Sequence, residues 1–145
     1  MIEFELKSMS YGWYGSDVPD NIEFVIRTED GRQYDMSASL QQLAVLYDSI
    51  VNRAARNFFI GAGTSVEVQD LGEKLKVQMG RTTLTGSESL LRERIEHLLK
   101  GVFKNADQED PSARERNLHQ INNHLQEFYG GFDFESLYQS LSSGN

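Results

Sequence analysis

Three histidines, His97, His119 and His124, lie in stretches with helical spacing. Glu93 precedes His97 by four residues and Glu115 precedes His119 by four, so each pair shares a helix face in the way two ligands of a divalent metal would. No motif supplies a third ligand, His119 and His124 point in different directions, and a Glu four residues before a His also steadies an exposed helix without any metal. The expectation is therefore no metal and no cofactor. With no cysteine in the chain, disulfides, thiolate nucleophiles and cysteine-ligated metal or iron–sulfur centres are excluded.

Serine nucleophiles fare no better. "GSESL" around Ser87 lacks the strand–serine–helix elbow of hydrolases, and Ser87 reads instead as a helix cap. The glycine-rich "GAGTS" (Gly61 to Ser65) has the wrong polarity for a phosphate cradle, because it leaves a helical pattern and enters a strand-like one. It reads as a helix stop and turn. The carboxylates Asp17, Asp20, Glu29 and Asp30 sit in turn-like stretches where such residues belong without catalysis. The basic run Arg92, Arg94, Lys100 and Lys104 is diluted by Glu93 and Glu96 and reads as a solvated helix face.

The stretch best suited to recognition is "SMSYGWYGSDVPDN", Ser8 to Asn21. Tyrosine and tryptophan anchor interfaces because they give large contact area at small entropy cost. Tyr11, Trp13, Tyr14, Asp17, Asp20 and Asn21 are the candidate partner-binding residues, with Trp13 filling a pocket and the acids steering a basic partner. The alternative is structural: Trp13 folds back as a lid over the sheet edge and the long helix.

Hydropathy periods define the elements that would position these residues. "IEFELK" and "NIEFVIRT" alternate, with Ile2, Phe4, Leu6 and Ile22, Phe24, Ile26 on one face. Asp30-Gly31 suits a two-residue hairpin turn joining Ile22–Thr28 to Arg32–Met36. From Ser39 the period changes to three and four (Leu40, Leu43, Tyr47, Ile50, Ala54, Phe58), which predicts a deeply buried helix over Ser39–Asn57. Ser39 and Gln42 form its capping box and Gly61 closes it. "TSVEVQD", "KLKVQM" and "RTTLTG" return to strand character. A helix capped by Ser87 then carries Leu91, Ile95, Leu98 and Val102, and two more helices follow, capped by Asp110 and Asp133. The fold class is α+β: one antiparallel, twisted sheet of five to six strands in the order βββαβββααα. A single domain spans residues 1–145, with 105–111 as a linker before the last helices and 142–145 as a frayed tail.

Of the 145 residues, 39% are hydrophobic, enough for a real core. The formal charge is −8. Residues 1–36 carry eight acids against Lys7, Arg27 and Arg32, a net −5, residues 105–145 carry another −5, and the middle is +2. Such a balance repels nucleic acid and anionic membranes and suits either simple solubility or a basic partner. With no basic-then-apolar leader at "MIEFELK" and no membrane-length apolar run, a cytoplasmic protein is expected. The leading expectation is a non-enzymatic acidic binding domain, an inhibitor or toxin-neutralising immunity-type protein. Single-stranded nucleic acid binding, a self-associating scaffold exposing Phe59, Val25 or Tyr129, and a small hydrolase are the alternatives.

Overall fold

The computed structural model describes residues 2–11 and 19–109. Strands β1 (Glu3–Tyr11), β2 (Pro19–Arg27) and β3 (Gln33–Ala38) form an antiparallel meander in that order. The alternation holds: Ile2, Phe4, Ile22, Phe24 and Ile26 are buried, while Glu3, Glu5 and Glu23 are exposed. Burying each such apolar side chain stabilises the fold by roughly 1.5–3 kcal/mol. Phe4 and Phe24 stack with ring centroids 6.1 Å apart.

β1 is longer than its simple alternation suggested because a bulge changes its phase. The register passes from Leu6↔Phe24 to Ser8↔Glu23, so Lys7 is the extra residue. Leu6 faces in before the bulge and Met9 after it, and both pack on the core. The β2–β3 loop also differs from expectation. Thr28 N–H donates to the Arg32 carbonyl (3.0 Å) and Gly31 N–H to the Thr28 carbonyl (3.1 Å), which closes a three-residue loop with Gly31 at φ 84°.

Helix α1 (Leu40–Val51) opens with the expected capping box. Gln42 N–H donates to Ser39 Oγ (3.1 Å), and Ser39 N–H donates to Gln42 Oε1 (2.8 Å). None of its twelve residues is exposed. The helix ends six residues before the expected Asn57. Arg53 takes a left-handed φ of 51°, its N–H bonds the Ile50 carbonyl, and Ala54 N–H bonds the Ser49 carbonyl. This is a Schellman stop built on an arginine where glycine is usual, which is why no sequence signal marked it.

The residues beyond it form β4 (Arg56–Ile60), read from sequence as the end of the helix. "RNFFI" satisfies a period of two as well as the helical stripe. Arg56, Phe58 and Ile60 turn inward, and Arg56 does so because it pairs with Asp48 on α1 and donates to Ser49 Oγ (3.2 Å). Gly61, at φ 57°, therefore serves the β4–β5 turn and is not a helix stop.

β4 joins β5 (Thr64–Asp70), β6 (Leu75–Met79) and β7 (Thr82–Gly86) in a second antiparallel meander. Among the described residues the expected single sheet of five to six strands is thus two sheets, of three and four strands. The chain separates them at α1, because an ordered strand immediately after that helix begins a new meander. Gly80 at φ 58° leads the tight β6–β7 turn, where Met79 pairs with Thr82.

Helix α2 (Glu88–Glu109) starts at Ser87, whose Oγ accepts Leu90 N–H (3.2 Å). Leu91, Ile95, Leu98 and Val102 are all buried. The helix continues through 105–109, the first part of the expected linker, and the two further helices fall outside the described residues. Both sheets and both helices share one apolar cluster, from Ile2 and Phe24 to Val77 and Leu98. No described helix is long and apolar enough to cross a membrane.

Candidate partner-binding surface

The aromatic stretch is partly strand. Ser8–Tyr11 belongs to β1 and 19–21 to β2, with Tyr11 opposite Pro19 and Ser10 opposite Asn21. Tyr11 and Asp20 are thus placed at the far end of the first sheet, and Asn21 is exposed there. Trp13, Tyr14 and Asp17 lie outside the described residues.

The outer face of that sheet is predominantly acidic. Glu5, Val25 and Asp35 stand side by side across the three strands, with Glu3 and Glu23 nearby. Arg27 pairs with Glu5 and, at 3.9 Å, with Glu3, while Lys7 lies 3.8 Å from Asp35. Ser8 donates to Glu23 (2.8 Å), so the bulge turns both Lys7 and Ser8 outward. These exposed pairs hold the carboxylates in place and contribute little to stability. Val25, expected as an exposed apolar residue, is only 2% exposed at the centre of this face.

At the β1 edge the same carboxylates meet those of α2. A cleft of about 540 Å³ is lined by Glu3, Phe4, Glu5, Glu93 and Glu96, with Arg94, His97 and Lys100 on the helix side. Strand alternation places Glu3 and Glu5, and one helix face supplies Glu93, Glu96 and His97. Sequence reasoning assigned these acids to solvated faces, because nothing local tells which strand a helix will pack beside. Glu96 is oriented by Tyr47 on α1, whose hydroxyl donates to it at 2.7 Å. Burial raises the Tyr47 phenol above its ordinary range, and the hydrogen bond to Glu96 raises it further.

The remaining candidate groups have structural partners. Ser87 caps α2. Asp70 binds Arg53 through both oxygens (2.7 and 3.2 Å) and accepts Gly72 N–H (2.9 Å). Arg53 and then the Gly72 amide hold its carboxyl down at about 2. Glu93 and His97 share the cleft, and among the described residues no three histidines and carboxylates gather where a metal would sit. Compared with known proteins, the chain matches no family model, no curated protein and no solved structure.

Proposed function

We propose that the chain is a non-enzymatic, cytoplasmic protein-binding domain of the inhibitor or immunity type, which occludes a basic partner. The observation that carries this reading is the convergence of Glu3 and Glu5 from β1 with Glu93 and Glu96 from α2 around one cleft, continuous with the acidic outer face of the first sheet. Carboxylates held on rigid strand and helix steer and orient a cationic surface, and they raise association rate more than they raise affinity.

A lysine-rich peptide is the direct probe. Glu3→Lys with Glu93→Lys reverses two cleft charges, and Glu67→Lys with Glu73→Lys makes the same change of net charge elsewhere. The cleft pair should weaken peptide binding by about tenfold or more and the remote pair by about twofold or less. Equal weakening would reduce the effect to overall charge and end the proposal. Co-purification with mass spectrometry then identifies the physiological partner.

A further inference from the structure

We infer that the free edge of β4 is a seam along which two copies of this chain pair. Ser65 carbonyl accepts Gly80 N–H at 2.8 Å, so the peptide groups of Ser65 face β6 and away from β4. Phe59 is the register partner of Ser65 and Asn57 that of Glu67. Both are therefore non-hydrogen-bonded pairs, and Asn57 and Phe59 direct their own N–H and C=O groups off the edge of the sheet. Among the described residues no strand takes up those groups, since β4 is terminal in its sheet.

Protein edges of this kind carry a bulge, a proline, a lysine or a covering helix. β1 has two register irregularities and α2 packed beside it. β4 has an unbroken register, no proline and no lysine, and its one charge, Arg56, is paired with Asp48. Phe59, 63% exposed, stands one residue from the centre of this edge.

Charge selects the occupant. The outer face of the second sheet (Asn57, Phe59, Ser65, Gln69, Gln78, Thr83, Thr85) carries one acid, Glu67, and one base, Lys76. A basic partner is drawn to the acidic first sheet, whereas a second copy, itself at −8, is repelled there and meets no net charge here. The edge is also self-complementary. A two-fold axis through Phe58 sets Asn57 against Phe59 of the second copy and Phe59 against Asn57, so all the outward peptide groups of both residues are bonded. Sliding toward the turn is blocked, because Gly61 N–H is taken by Gln42 and its Cα lies against Ser37.

A five-residue seam is small, so pairing is weak and is sought by sedimentation up to about 1 mM protein. The average mass should rise toward the dimer, and exchange of the Asn57 and Phe59 amide protons should slow by about fivefold or more from dilute to concentrated solution. The Phe58 and Ile60 amides, already bonded to β5, should change less. Phe59→Lys should remain folded by circular dichroism and stay monomeric. Thr85→Lys, on the same face at the opposite edge, should still dimerise. A monomer at every concentration, a dimer without slowed Asn57 and Phe59 exchange, or equal loss of dimer in both lysine variants would each overturn the pairing.

Discussion

Gln42 and Gly61, nineteen residues apart, are joined by a single oxygen. Gln42 Oε1 accepts Ser39 N–H at 2.8 Å and Gly61 N–H at 3.0 Å, so one side-chain amide both completes the cap of α1 and holds the β4–β5 turn. Gln42→Ala leaves two amide donors without this acceptor and should destabilise by about 1–3 kcal/mol in urea denaturation. Gln42→Glu keeps an acceptor oxygen and should lose distinctly less.

Gly61 is closely packed as well as left-handed. A Cβ there would lie 2.6 Å from Ser37 Oγ and 2.8 Å from the Ser37 carbonyl oxygen, whereas one at Gly31 would meet nothing within 4 Å. Gly31→Ala should therefore show only the left-handed backbone cost of about 1–2 kcal/mol. Gly61→Ala should exceed it clearly, since a strand carbonyl must move. Equal denaturation midpoints would mean the two sheets do not meet there.

Asp70 gives the fold an acid-sensitive tie. Its carboxyl is held at about 2 against an ordinary 3.8, first by Arg53 and next by Gly72 N–H. A carboxyl lowered by folding stabilises above its unfolded value and loses that contribution as pH falls toward the folded one. Carbon-detected NMR titration should place the Asp70 midpoint near 2, and Arg53→Gly should return it toward 3.8. Stability of Asp70→Asn should fall less steeply between those two pH values.

Tyr47 acts at the opposite end of the pH scale. Folding raises its phenol, chiefly through burial, so its contribution is complete below about pH 10 and fades as pH rises beyond it. Ultraviolet titration should show one tyrosine ionising late, and Tyr47→Phe should remove it. The same variant should cost about 1 kcal/mol, the usual net worth of a hydrogen bond.

Trp13 separates the two readings of the aromatic stretch. As an interface anchor, its replacement by alanine should weaken partner binding by about 2 kcal/mol or more with folding nearly unchanged. A collapse in melting temperature with binding retained per folded molecule would make it a lid.

Much of the fold was legible because two local rules acted without competition. Alternation located β5 and β6 nearly to the residue, and Ser39 and Ser87 marked the helix starts. Reading failed where two periods fitted the same residues. Ala54 and Phe58 extend the helical stripe of α1, yet Arg56, Phe58 and Ile60 also form the inner face of a strand. The choice fell to contacts outside the stretch itself, with β5 supplying the ladder and Asp48 drawing Arg56 inward.

The sequence by itself determined the α+β class, the apolar faces of β1, β2 and α2, the N-terminal caps of α1 and α2, and the acidity of its first strands. Those properties follow from side-chain period, local hydrogen bonding and composition. The tertiary structure decided that the described strands form two sheets, that β4 is a strand and, among the described residues, terminal in its sheet, and that Glu3 and Glu5 share a cleft with Glu93 and Glu96. Each of these depends on which buried faces meet, and burial rewards apolar area without recording in any short stretch which partner will cover it.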